Sequence, residues 1–224
     1  MDLDLGGKVF IVSGGTSGLG AAVAAGLVGE GARVVGLATD LRGATTPPPA
    51  ARQSFGRLDG AFVSHGGPDP GPATDLDDAR LCRAMESAVV APIALIREIV
   101  RELPSGGAVV ALTSSTGVGA DGRHGRVQRR TRCGARIRQD DRDRGRHPWR
   151  SGQRVDPWPL TAARLQQIAA EGTAEHRGGR HGNPMDRDGN PTELVAAACL
   201  LLSSRSSFVT GSAWTVDGGR RRTL

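Results

Sequence analysis

Residues 9–20 read VFIVSGGTSGLG, and this stretch decides the fold. Its apolar opening, Val9 to Val12, is typical of a strand buried in a parallel sheet. A glycine-rich turn follows, and the Ala-, Leu- and Val-rich residues from Leu19 to Val28 predict a helix. Residues 33–37 then read as a second apolar strand. Strand, helix and strand within about thirty residues predict a right-handed parallel β-α-β unit.

The glycines of this turn predict a binding site for the pyrophosphate of a dinucleotide. Such a ligand needs backbone N–H groups at a helix N-terminus and no Cβ atom in its way. Gly14 makes the turn, Gly18 permits close approach and Gly20 permits the helix to pack on the strand. The predicted cofactor-binding residues here are Gly14, Thr16, Ser17, Gly18, Leu19 and Gly20. The alternative is a tight turn that holds no ligand.

Further along the chain, strands and helices continue to alternate. Apolar runs predict strands at residues 59–63, 108–112 and 213–216, and helical periodicity covers 77–103 and 191–203. Residues 45–50 read as a Pro-rich break. This order predicts an α/β fold, a Rossmann-like doubly wound parallel sheet, formed by a single domain over residues 1–224.

The positive charge of the chain is concentrated in one segment. The formal net charge is +6, yet residues 121–159 contain 12 Arg and 5 Asp, so the remainder is close to neutral. Only seven of these 39 residues are apolar and they show no period, so we expect 121–159 to be irregular or disordered. A nucleic-acid-binding function would depend on this segment alone.

Several classes of protein are not indicated. The three cysteines have neither C-x-x-C spacing nor a nearby His, so we expect reduced thiols and no metal site. No run of eighteen apolar residues is present, and no charged and apolar leader follows Met1. We therefore expect a cytoplasmic protein without a membrane partner.

With these motifs in place, the sequence resembles the short-chain dehydrogenase/reductase family. Its glycine signature T-G-x-x-x-G-x-G matches here except that Ser13 replaces the leading Thr. The resemblance extends to LDGAFVSHGG at 58–67, to Ser114-x-x-Gly117, and to the VDGG at 216–219. It implies an NAD(P)-dependent oxidoreductase that transfers hydride between nicotinamide and a carbonyl or secondary alcohol. It also implies a small-molecule substrate and a homodimer or homotetramer.

The resemblance also implies where the catalytic residues should stand. Ser114 matches the family's Ser, which hydrogen-bonds the carbonyl oxygen. The expected Tyr position is occupied by Val127 and the expected Lys position by Thr131, and the chain contains no Tyr at all. The family's helix Asn falls at Ala88, or at Ser87 if the register slips by one residue. A catalytically inactive, cofactor-binding relic is therefore an alternative function.

Cofactor choice depends on the end of the second strand. An acidic residue there favours NAD through the ribose 2′-OH, whereas an Arg accepts the 2′-phosphate of NADP. Asp40 stands close to that position and favours NAD, while Arg42 two residues later keeps NADP open. Gly66, at the end of the strand at 59–63, completes the predicted cofactor site.

A shifted reading frame offers one explanation for the missing Tyr. Moved forward by one nucleotide, the codons from Val127 permit Y-S-A-A, and residues 149–158 permit G-V-R-V-N-A-x-x-P-G. Both resemble the family at the required spacing, although Thr131 cannot become Lys in this frame. The resemblance also implies that about twenty to thirty residues of the family pattern are missing between Asp40 and Leu58. We expect no nucleic-acid partner, and the alternative is that residues 123–154 form an Arg-rich arm that binds RNA.

Overall fold

The computed structural model describes residues 1–37, 47–65, 77–113, 151–157 and 184–219. Six parallel strands lie in the order β2-β1-β3-β4-β5-β6. They are β1 Val9–Ser13, β2 Arg33–Leu37, β3 Gly60–Val63, β4 Ala108–Leu112, β5 Ser151–Pro157 and β6 Ala213–Val216. The predicted Rossmann-like doubly wound sheet is confirmed, with five of the six strands at their predicted positions.

The core divides into one apolar cluster on each face of the sheet. Helices α1 (Gly18–Gly29) and α5 (Pro191–Leu202) contribute to the cluster around Phe10 and Phe62. Helices α2 (Pro47–Phe55) and α4 (Ala91–Glu102) contribute to the cluster around Ile11. Adjacent strand residues point to opposite faces, so the continuous apolar run of β1 supplies both clusters.

Helix α2 corrects the prediction of a Pro-rich break at residues 45–50. The helix begins at Pro47, and its sequence opens with three consecutive prolines. Proline is tolerated in a first helical turn because the N–H group that it lacks has no intrahelical partner there. The same composition that suggested a break therefore also fits a helix start.

The long helix predicted at 77–103 is present with an interruption in its middle. Helix α3 (Asp78–Met85) leads into a π-helical turn at Glu86–Val90, and α4 follows directly. The N–H of Ala91 donates to the carbonyl of Glu86, five residues earlier. Pro92 in the first turn of α4 has no N–H and its ring would crowd the carbonyl of Ala88, so a widened turn relieves the conflict.

Strand β5 shows that one part of the prediction for 121–159 is wrong. Residues 151–157 are a strand that pairs with β4 on one side and β6 on the other. Val216 of β6 stands in register with Pro157 of β5. Backbone N–H and C=O groups form a ladder whatever the side chains, so a position between two strands can order a polar sequence. Residues 121–150 lie outside the described part of the chain.

The start of α5 is fixed by a network of charged and polar groups. Asn190 and Glu193 form a reciprocal capping box, in which Glu193 accepts from the Asn190 N–H at 2.7 Å. Arg187 donates to both carboxylate oxygens of Glu193, at 2.6 and 2.9 Å. The Arg187 side chain, followed by the Asn190 N–H, lowers the pKa of Glu193 to about 2.

This capping network predicts a loss of stability in acid. Because the folded pKa of Glu193 lies below its ordinary value, its contribution is complete above pH 4.5 and is lost as the pH falls toward 2. We expect Glu193→Gln to be less stable than the parent at pH 6 and to approach it near pH 2.5. Urea midpoints at both pH values measure this, and an unchanged difference would contradict it. Glu98→Gln, in an equally exposed ion pair that caps no helix, is the comparison variant, and we expect it to show a smaller dependence on pH.

No helix within the described ranges is both long enough and apolar enough to cross a membrane.

Candidate functional site

The glycine loop lies where the sheet changes its direction of winding. From β1 the chain crosses to β2 on one side, and it later returns to β3 on the other side of β1. In open parallel sheets, ligands bind beyond the carboxyl ends of the strands at such a switch point. Residues 14–17, which join β1 to α1, occupy this position.

The three glycines of the predicted signature each meet a different backbone requirement. Gly14 has φ +66° and Gly18 has φ +59°, in the left-handed region that favours glycine. An added Cβ on Gly18 would have no described atom within 4 Å, so no described residue fills the space above it. A Cβ on Gly20 would collide with the Gly14 carbonyl group and stand 3.0 Å from the Ser13 carbonyl oxygen. The predicted roles in turn formation and in helix packing are confirmed.

Two contacts that hold the loop were not predicted. The Ser13 hydroxyl donates to the Ser64 carbonyl at 2.6 Å and accepts from the Ser64 N–H at 2.8 Å, which ties the end of β1 to the end of β3. The Gly15 N–H donates to the Leu37 carbonyl at 3.2 Å, tying the loop to β2. The hydroxyl at position 13 was the available signal, because Ser keeps the hydroxyl of the family's Thr.

The N-terminus of α1 is left open toward solvent. Ser17 is the N-cap residue, and its side chain makes no capping hydrogen bond. Thr16, Ser17 and Gly18 are all exposed. The first N–H groups of a helix have no intrahelical partner and carry the positive end of its dipole. Residues 13–20 contain no ionisable side chain, so the electrostatic character of the loop is that of a helix end that attracts an anion.

The remaining predicted site residues lie outside the described residues. These residues are Asp40, Gly66, Ser114, Val127 and Thr131. Strands β2, β3 and β4, which precede the first three of them in the chain, all end at the edge of the sheet that carries the glycine loop. The proposed roles of these residues therefore stay predictions.

The position expected to hold the family's Asn lies inside the π-helical turn. Ala88 is buried and has no polar side-chain atom. Ser87 directs its hydroxyl to the Ala84 carbonyl at 3.3 Å within its own helix. Neither residue carries a side-chain amide, so the proton-relay role of the family's Asn has no counterpart at either position.

A separate cavity of about 310 Å³ lies at the opposite edge of the sheet, before β3. Its charged lining residues are paired, since Arg57 donates to Asp59 at 2.6 and 2.9 Å and Arg52 forms an ion pair with Glu102 at 3.5 Å. Asp59 also accepts from the Val9 N–H at 2.8 Å, which fixes the start of β1. These bonds explain a structural role for the pair. Within the described residues, no group of three His, Cys, Asp or Glu could hold a metal ion.

Comparison with known sequences finds dehydrogenases and reductases. The family model described as enoyl-(acyl carrier protein) reductase matches residues 154–221. The chain is 29% identical to a 2,5-dichloro-2,5-cyclohexadiene-1,4-diol dehydrogenase of Sphingobium indicum, over 96% of this chain and 98% of that protein. That alignment has 250 positions, more than the 224 residues of this chain, so the relative has residues without a counterpart here.

Comparison with solved structures gives the same fold. Aldohexose dehydrogenase of Thermoplasma acidophilum superposes with a TM-score of 0.81 at 18% identity, covering 100% of this chain and 98% of that one. L-sorbose reductase of Gluconobacter frateurii, solved with NADPH and L-sorbose, superposes with a TM-score of 0.78 at 20% identity over 100% of both chains.

The doubly wound sheet and the glycine loop at its switch point define a Rossmann-like α/β protein, and the matched relatives are dehydrogenases and reductases. These matches support the resemblance of the chain to the short-chain dehydrogenase/reductase family.

Proposed function

We propose that the glycine loop binds the pyrophosphate of NAD or NADP, with NAD preferred, in hydride transfer between the nicotinamide and a carbonyl or secondary alcohol. The observation that carries the proposal is the uncapped N-terminus of α1 at the switch point of the sheet. The presence of NADPH in L-sorbose reductase, which shares this fold, supports a nicotinamide dinucleotide as the ligand. The preference for NAD rests on Asp40. Residues 1–224 would act as a single dinucleotide-binding domain on a small-molecule substrate.

The glycine loop, the contacts that hold it, the cofactor and Ser114 have distinct roles in this proposal. The N–H groups at the start of α1 would donate hydrogen bonds to the pyrophosphate oxygens, and Gly18 leaves the space that these oxygens need. Ser13 holds the loop between β1 and β3, so the donors are positioned before the ligand arrives. When bound, the nicotinamide supplies or accepts the hydride. Ser114 would donate a hydrogen bond to the substrate oxygen.

A second candidate function is cofactor binding without turnover. The observation that favours it is the complete absence of Tyr from the chain. The hydroxyl proton must be given or taken by a positioned acid or base, and losing that group costs about 10²–10⁴-fold in rate. Val127, at the expected position, cannot ionise. Binding would survive this loss because the glycine loop does not depend on it.

Two substitutions at Ser17 test the binding site. Ser17→Asp places a carboxylate at the helix N-cap, beside the proposed pyrophosphate. At about 5 Å and an effective dielectric constant of about 20, two unit charges repel by about 3 kcal/mol, and screening at this exposed position should leave NAD binding weakened about tenfold to a hundredfold. Ser17→Asn is the matched control, because Asn caps as well as Asp without charge. Isothermal titration calorimetry with NAD and NADP measures both affinities and their order.

The outcomes of this titration are distinct. Thermal unfolding should show both variants at least as stable as the parent, since Asp and Asn are favoured N-caps. Equal weakening by Asp and Asn would mean that loss of the Ser17 hydroxyl, or capping of the N–H groups by the new side chain, rather than charge, weakens binding. No binding of either dinucleotide by the parent chain at about millimolar concentration, where a Kd of that order would be seen, rejects the proposed function.

A further inference from the structure

Strand β2 forms an open edge of the sheet in the described part of the chain. It is the terminal strand in the order β2-β1-β3-β4-β5-β6. Every residue of β1 and β3 is buried, whereas Arg33 and Gly36 of β2 are exposed and the other residues of β2 are half-buried. An edge strand presents unpaired N–H and C=O groups to any chain that can extend the sheet.

The hydrogen bonds to β1 show which groups of β2 face outward. The Arg33 N–H donates to the Lys8 carbonyl at 2.8 Å, and the Leu37 carbonyl accepts from the Gly15 N–H on the same side. Because backbone groups alternate along a strand, Arg33, Val35 and Leu37 face β1. Val34 and Gly36 therefore direct their N–H and C=O groups to the open edge, where no described residue pairs with them.

The features that normally protect an edge are weak in β2. Its sequence RVVGL contains neither Pro nor Lys. Its one charged side chain, Arg33, lies with its guanidinium carbon 5.6 Å from the centre of the Phe55 ring, on the face covered by α2. A Cβ on Gly36 would meet no described atom within 4 Å, so no described residue covers the sheet face at this position.

We propose that β2 pairs with β2 of a second copy of this chain, antiparallel about a twofold axis, to form one continuous sheet. The outward groups are self-complementary in this register. Val34 exchanges two hydrogen bonds with the partner's Gly36, Gly36 does the same with the partner's Val34, and Val35 lies opposite its own copy. The four backbone hydrogen bonds then use all four outward groups of each of the two strands.

The charges of the edge are compatible with this pairing. Arg33 lies opposite the partner's Leu37, and the two arginines are four residues apart along the ladder, or about 14 Å. That separation exceeds the screening length of about 8 Å at physiological ionic strength, so their repulsion is small. A five-residue contact is small, so the dimer should be weak and dependent on concentration.

A proline at Gly36 tests the pairing with little demand on the monomer. Gly36→Pro removes an outward N–H, and its ring enters the open space beside the strand, as is tolerated on edge strands. We expect the dimer dissociation constant to rise at least about tenfold, the result of losing one bond in each symmetric pair. Gly36→Ala keeps the N–H and is the matched control, expected within about threefold of the parent. Sedimentation velocity of the full chain over a concentration series measures all three.

Amide hydrogen exchange in the parent chain gives a second readout that needs no variant. The Val34 and Gly36 amides should exchange more slowly at high protein concentration, while the Val35 amide, already bonded to β1, should not change. Three results would each overturn the proposal. The parent chain could stay monomeric across the concentration series, or Gly36→Pro could leave the dimer dissociation constant unchanged. The exchange rates of the Val34 and Gly36 amides could also be independent of protein concentration.

Discussion

Replacing Gly20 by alanine is expected to lower the free energy of unfolding by about 3 kcal/mol. The new Cβ would lie against the Gly14 carbonyl group, 2.6 Å from its carbon, and 3.0 Å from the Ser13 carbonyl oxygen. These are backbone atoms in a loop fixed by the Ser13 and Ser64 bonds, so they cannot move aside as a flexible side chain would. The better helix propensity of Ala, about 1 kcal/mol, offsets only part of this cost.

Gly29→Ala is the matched control for this change, because Gly29 lies in the same helix and its added Cβ meets no atom within 4 Å. We expect it to be neutral or to stabilise by up to about 1 kcal/mol. Urea denaturation with a shared slope measures both variants. If Gly20→Ala falls within about 0.5 kcal/mol of Gly29→Ala, the helix does not depend on close approach to the loop.

The elements with strong apolar runs were predictable from sequence alone. The strands at 33–37 and 108–112 and the helix that begins at Pro191 match their predicted positions because burial on one or both faces fixes their composition. Strand β5 was not predictable, since its order comes from pairing with β4 and β6 rather than from its own sequence. The π-helical turn before Pro92 is likewise a response to a local conflict that periodicity does not reveal.

The candidate site also contains some features that were predictable from sequence and some that were not. The glycine positions were predictable because φ values and close contacts exclude other residues there. The bond from Ser13 to Ser64 spans 51 residues of sequence, so the hydroxyl at position 13 indicates a hydrogen bond without identifying its partner. The roles of Asp40 and Ser114 depend on residues that the structure does not describe, and they stay predictions.

Restoring the shifted reading frame across residues 121–159 is expected to raise turnover by about 10²–10⁴-fold, the range that a positioned acid or base contributes. The sequence permits Tyr at the position of Val127, in the frame that also permits G-V-R-V-N-A from residue 149. The structure adds an independent reason to infer a shifted reading frame. As written, β5 carries Arg154 and Asp156 between two strands of a parallel sheet, where apolar runs are normal, and the restored frame permits Val and Ala at residues 152 and 154.

Resequencing the gene across codons 118–162 and assaying both proteins with NAD and a panel of secondary alcohols tests this expectation. Calorimetry on the same two proteins should show similar NAD affinity, because the glycine loop at residues 13–20 is identical in both. The gain should therefore appear in kcat rather than in KM, since the proton-transfer group acts in the transition state. A matched gain in affinity would attribute the change to folding of the restored segment instead. Equal turnover by the chain as written would refute the requirement for Tyr, because this chain has none to supply.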